Sequence, residues 1–219
     1  RYNEPGEGGF AMERDGYENT EIMLIRMDGT DLRSLTPPKE GIMAANSYWT
    51  PDGRGLLYVS TDNPSRKPEI RRIDLDENME VLGITTLPVP EHLLPVDPHQ
   101  VGDLIVFPAT DTTNGVRGIW IMNADGSNLR QLTVPKDPET NQTITMIQDK
   151  YNGDNDPKLS PDGSKTAFMR HVKDRYLWHI IIVDVETGEE KDLSAAYIPP
   201  DYNAADAMPE WSSDGELLI

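Results

Sequence analysis

The sequence predicts an all-β fold, a β-propeller of four-stranded antiparallel blades. Three observations lead there. A tight-turn motif is written three times, as Thr50-Pro51-Asp52-Gly53, Ser160-Pro161-Asp162-Gly163 and Ser212-Ser213-Asp214-Gly215. Each copy precedes a short apolar run, and the elements around it recur in one order at a period of about 48 residues. The chain is also rich in strand and turn punctuation, with 18 Pro and 17 Gly in 219 residues.

Each repeat divides into strands A to D. Strand A leads into the tight turn. In Ser160-Pro161-Asp162-Gly163 the proline sets φ at the first central position, aspartate suits the second, and glycine takes the left-handed conformation that closes the turn. Strand B follows, as in 56–60 and 166–169. Strand C ends in an acidic turn, at 21–30, 69–78, 118–127 and 179–188. Asp28-Gly29 and Asp125-Gly126 are strong hairpin dipeptides there. Strand D closes the unit with a Leu-x-x-Leu-Thr pattern, at 32–36 and 129–133 and more loosely at 82–85 and 192–194. Trp49 and Trp211 stand just before the A–B turn and are expected to wedge between blades.

A four-stranded unit of this length cannot bury both of its faces alone; stacking on neighbours supplies the core. The expected blades are 10–36 (partial), 48–85, 97–133, 157–194 and 207–219 (partial), in a single domain over 1–219. About four to five blades are thus represented, and the chain reads as an incomplete part of a six- to eight-bladed ring.

The formal charge is −18, from 38 Asp and Glu against 20 Lys and Arg. Such a surface repels phosphate backbones and anionic membranes, so nucleic-acid binding is not expected. No apolar run reaches transmembrane length, so no membrane insertion is expected. With no Cys in the chain, disulfides, thiolate metal sites and Cys nucleophiles are excluded. No nucleophile elbow and no glycine-rich phosphate loop are present.

In a propeller the A–B and C–D turns share one face, and the B–C and D–A loops share the other. Here the second set is long and irregular, which places the expected binding face there. Tyr151, Tyr197, Tyr202 and Trp178 lie in or beside these loops and suit a partner-binding surface. Asp149, Asn152, Asp154 and Asp156 offer oxygen ligands close in sequence, as Ca²⁺ prefers, although they lack the EF-hand spacing. Local Asx turns, or a bond to the neighbouring blade, would use the same residues. No cofactor is required by this reading; Ca²⁺ is the metal that the loop would suit.

Trp49-Thr50-Pro51-Asp52-Gly53 with Leu57-Tyr58-Val59-Ser60, and the run from Gly118 to Thr133, resemble the TolB-like propeller repeats, whose blades are WD-repeat-like. The resemblance covers about residues 10–36, 48–85, 97–133, 157–194 and 207–219. It implies a propeller scaffold, periplasmic or secreted, that binds a protein or peptide and is not itself catalytic. Related repeats also occur in hydrolases and in oligogalacturonate lyases. His99-Gln100 resembles the metal-binding strand of those lyases, with His92 and His171 as further candidate ligands. That alternative makes the chain part of a metal-dependent polysaccharide lyase, or of a larger hydrolase. A third alternative is a structural subunit of an extracellular assembly.

Overall fold

A computed structural model describes residues 19–137, 141–146, 153–171, 178–196 and 206–219. The architecture is all-β, and every strand pairing is antiparallel. The first sheet holds β1 (Met23–Leu24) and β2 (Arg33–Ser34). The second runs β3 (Ala44–Trp49), β4 (Gly55–Ser60), β5 (Glu69–Leu75), β6 (Val81–Thr86) in spatial order. In the third, β7 (Leu93–Pro95) and β8 (His99–Val101) both pair with β9 (Leu104–Asp111). Next to β9 comes β10 (Val116–Asn123) and then β11 (Arg130–Gln131). The fourth runs β12 (Asp154–Leu159), β13 (Lys165–His171), β14 (Trp178–Asp184), β15 (Glu190–Asp192). A short 3₁₀ turn follows at Ser194–Ala196, and a bridge between Trp211 and Leu218 closes the last tight turn.

The sheets are the blades, and the strand alternation explains how they stack. On β9, Ile105, Phe107 and Ala109 join Leu57 and Ile70 of the preceding sheet. Val106 turns the other way, to Phe168, Ile181 and Val183 of the following sheet. Each middle strand therefore buries both faces, which is why β4 and β9 read as continuous apolar runs rather than alternating ones. Ile22 and Leu35 bring the first sheet against Leu56, Tyr58 and Ile73 in the same way.

The recurring turn has one geometry. Ser160 Oγ donates to Asp162 Oδ1 at 2.6 Å, the Ser164 amide donates to the same oxygen at 3.0 Å, and Gly163 sits at φ +73°. Thr50, Asp52 and Gly53 repeat the arrangement, with φ +66° at the glycine. Ser212, Asp214 and Gly215 make a third copy.

The closing hydroxyl of each unit also has one job. Thr36 Oγ1 accepts from the Ile22 amide at 2.8 Å, Thr133 Oγ1 from Ile119 at 2.9 Å, and Ser194 Oγ from Ile180 at 2.8 Å. The hydroxyl replaces a ladder bond where the outer strand ends. In two units it then donates to an aspartate at the start of the next repeat: Thr133 to Asp154, and Ser194 to Asp206 at 2.5 Å.

Two expectations need adjusting. The inner strands begin upstream of the expected blade starts, because residues before a mid-strand bulge also pair: Ala44 and Ala45 in β3, Asp154 and Asn155 in β12. Trp49 is 49% exposed, so it does not wedge between blades. Trp211 does reach across, its indole Nε1 donating to the Lys158 carbonyl at 2.9 Å.

Candidate functional site

Each inner strand is broken at the same place. Register shifts fall between Ala45 and Tyr48 in β3 and between Asn155 and Lys158 in β12. In the third sheet the break is complete and separates β7 from β8. The residue at the break has positive φ every time: Asn46 at +56°, Asp97 at +41°, Asp156 at +46°, and Met208 at +56° in the final repeat. A left-handed non-glycine residue is costly, least so for Asn and Asp. A bulge re-aims the side chains around it. Here it brings together polar groups from three blades where their inner strands meet.

Tyr48, His99 and Lys158 occupy matching positions two residues after the break, and Glu210 follows in the final repeat. Tyr48 and His99 meet edge to face, with ring centroids 6.0 Å apart. Lys158 Nζ lies over the Tyr48 ring, 4.0 Å from its centroid. His99 Nδ1 accepts a hydrogen bond of 3.1 Å from the Leu159 amide, which fixes the tautomer with any ring proton on Nε2. Arg117, near the start of β10, runs past Gly153 toward this cluster. A Cβ on Gly153 would stand 2.7 Å from the Arg117 backbone oxygen, and Gly153 itself sits at φ +124°. The lack of a side chain at 153 is what lets the arginine pass.

The electrostatics of the cluster are unlike those of the rest of the chain. Burial, and then the Asp156 charge, lift the Asp97 carboxyl to about 6 against the pull of Arg117, Lys158 and a hydrogen bond from Asn46. Asp156 is raised in the same way, chiefly by burial. Burial lowers His99 to about 4, aided by Lys158, so its imidazole is neutral at pH 7. Tyr48 is raised to about 12 by burial and by the charges of Asp97, Asp156 and Glu210. Lys158 is lowered, mainly by burial. Such a set of perturbed groups at one spot makes the cluster the candidate site. It lies midway along the inner strands, and Arg117 enters it from the end that carries the 112–115 loop between β9 and β10. That is the long-loop side.

The sequence-predicted residues fall in several places. Tyr151, Tyr197, Tyr202, Asp149 and Asn152 lie outside the described residues. Trp178 opens β14 and packs its ring against His171, 5.2 Å between centroids. Asp154 and Asp156 are turned to different neighbours. Asp154 is wholly buried and held by Arg170, with bonds of 2.7 and 2.9 Å, and by the Thr133 hydroxyl. Arg170 also grips Glu190 at 2.5 and 3.0 Å. Burial alone would lower this guanidinium, yet Asp154 and Glu190 together hold it above its ordinary pKa. Asp156 belongs to the axial cluster.

Of the histidine set, only His99 is part of that cluster. Gln100 beside it donates to the Gly102 carbonyl at 2.9 Å. His92 is exposed, its carbonyl bonded to Thr112, and His171 lies at the end of β13. Among the described residues, no three His, Cys, Asp or Glu side chains form a group able to hold a metal ion. No helix among the described residues is long and apolar enough to cross a membrane.

Comparison with known proteins bears on the fold. No profile of a known protein family matches the chain. It is 25% identical over 161 residues to an oligogalacturonide lyase of Pectobacterium atrosepticum, covering 70% of this chain and 40% of that protein. Among solved structures it is similar to a putative TolB from Agrobacterium tumefaciens, with a TM-score of 0.54 and 22% identity over 84% of this chain and 62% of that one. It is also similar to an oligogalacturonate lyase solved in complex with manganese, with a TM-score of 0.57 and 16% identity over 91% of this chain and 52% of that one. The chain thus spans less than two thirds of these relatives. The fold is that of the TolB-like β-propellers.

Proposed function

We propose that the chain is a non-catalytic propeller scaffold that binds a protein or peptide partner on its long-loop side, with the axial cluster receiving a cationic group of that partner. One observation carries this reading. The same left-handed break, repeated in three blades, brings Asn46, Asp97 and Asp156 together with Tyr48, His99 and Lys158, where the fold itself needs only a packed strand. Burial raises the half-buried carboxyls of Asp97 and Asp156 against the pull of Arg117 and Lys158, and the Tyr48 ring already holds one ammonium, that of Lys158, over its face. A lysine, an arginine or a free amine is the group such a setting accepts. The acidic surface would draw a basic partner toward it. The reading places the protein in the periplasm or outside the cell, as the TolB-like resemblance implies.

The experiment is an array of short synthetic peptides that differ only at one tip: lysine, arginine, norleucine or glutamate. Lysine- and arginine-tipped peptides should bind the full chain at least tenfold more tightly than the norleucine one, and Asp97→Asn should remove the preference. Equal binding of all four tips would sink the proposal.

A second reading, a metal-dependent polysaccharide lyase, rests on the 25% identity to the Pectobacterium oligogalacturonide lyase and on His99 standing in the axial cluster. It requires ligands from outside the described residues. Elemental analysis for manganese, with oligogalacturonate as trial substrate, separates it from the scaffold reading.

A further inference from the structure

The outer strand β6 stands apart from its counterparts. The outermost strands of the other sheets, β2, β11 and β15, have 2, 2 and 3 residues, whereas β6 has 6. Its residues are exposed except Gly83, which is half-buried; Val81, Leu82 and Ile84 show 40%, 70% and 46% of their surface. Val81 lies opposite Leu75 and Ile84 opposite Ile73, so the two aliphatic side chains share one face.

The register shows which backbone groups are free. The Leu87 amide bonds to the Ile70 carbonyl at 2.9 Å, and Thr85 pairs with Arg72. Antiparallel alternation then turns the amide and carbonyl of Thr85 toward β5 and those of Ile84 and Thr86 outward. Natural edges are blunted by lysine, proline or short length. The strand Val81-Leu82-Gly83-Ile84-Thr85-Thr86 carries no charge and no proline.

The surrounding charge indicates what would pair with it. Asp76, Glu77 and Glu80 lie in the turn that enters β6. The nearby cations are already engaged, Arg33 with Glu80 and Arg72 with Asp74. Among the described residues, no ion pair engages Asp76 or Glu77. A second copy of this chain would bring these acids and a formal charge of −18 against themselves. A basic segment would not.

We propose that β6 is a docking edge for an extended basic segment of another protein. The segment adds one strand outside β6, sets alternate aliphatic side chains on the Val81 and Ile84 face, and places a lysine or arginine beside Asp76 and Glu77. The site is separate from the axial cluster and does not depend on it.

The test uses the full chain and a fluorescent peptide, acetyl-Lys-Lys-Val-Thr-Val-Thr-Val-amide, read by anisotropy. Saturable binding is expected. Methylating alternate backbone nitrogens of the peptide should weaken it at least tenfold with charge unchanged. Ile84→Pro removes an outward amide without touching the β5 ladder and should weaken binding equally. Should Ile84→Pro fail to fold, the methylated peptide alone decides. No binding, or binding indifferent to methylation, overturns the proposal. So does sedimentation that shows the protein dimerising through this edge in place of binding the peptide.

Discussion

Asp97 gives the sharpest test of whether the axial cluster is a site or a part of the core. Its carboxyl is raised from 3.8 to about 6, chiefly by burial and then by Asp156. The folded state therefore holds this proton more tightly than the unfolded chain does. Stability is lost as pH rises from about 4 to about 6, and above that window the ionised group is a standing cost. At about 1.4 kcal/mol per tenfold change in proton affinity, the gap amounts to at most about 3 kcal/mol. The side chain is only half-buried, and solvent screening brings this to roughly 1–2 kcal/mol. His99 runs the other way: lowered to about 4 by burial and then by Lys158, it lends stability that is lost as pH falls below its unfolded value. The two partly cancel in the native protein, so the informative quantity is the difference between variant and wild type. Asp97→Asn keeps the side-chain shape, and asparagine accepts the left-handed φ of +41°. Urea unfolding at pH 8 should show the variant more stable by about 1–2 kcal/mol, and its melting point should rise by roughly 3–6 °C. At pH 4 the two proteins should match. The same variant should lose the preference for cationic peptide tips. A variant less stable than wild type at pH 8, or a gain that is the same at pH 4, would refute the assignment and make Asp97 an ordinary structural residue.

Two further outcomes test the frame around the site. Arg170→Met leaves the wholly buried Asp154 without its counter-charge and should cost about 3–5 kcal/mol in urea unfolding; the double variant with Asp154→Leu should recover most of the loss. Gly118→Ala places a methyl 2.2 Å from the Thr133 carbonyl oxygen, and about 1–3 kcal/mol of destabilisation is expected by thermal melting; a neutral result would mean that the β10 edge yields freely.

The sequence showed most of the fold because its signals are local. Asp162 with Gly163 writes a turn within four residues, and the geometry seen there is the one those residue types favour. The Leu-x-x-Leu-Thr close was visible as a repeat, but its purpose, a hydroxyl accepting from the C strand, needed coordinates. The axial cluster was missed for a different reason. Its members come two or three to a blade, the blades some fifty residues apart, and no window of sequence holds them together. The signal was present nonetheless: Asn46-Ser47-Tyr48, Asp97-Pro98-His99, Asp156-Pro157-Lys158 and Met208-Pro209-Glu210 stand at matching places ahead of the A–B turn. Asp154 looked like a metal ligand because oxygen donors cluster in its loop. Arg170 was invisible as its partner because strand pairing alone brings it close.

The repeats also separate what the fold demands from what it leaves open. Asp154 and Asp206 stand at the start of successive repeats, and both accept from the hydroxyl that closes the unit before. Two residues later the backbone makes the same left-handed break in both, yet the side chain is Asp156 in one and Met208 in the other. Asn46 and Asp97 hold that position elsewhere. A left-handed methionine has no Asx hydrogen bond to offset its strain, so the break is not there to suit one side chain. It is a fixed break in the backbone with a variable occupant. The next inward residue varies even more widely, through Tyr48, His99, Lys158 and Glu210, while the adjacent Leu159 stays buried. Fixed backbone and free chemistry at one ring of positions is the arrangement that lets a repeated scaffold carry an unrepeated site.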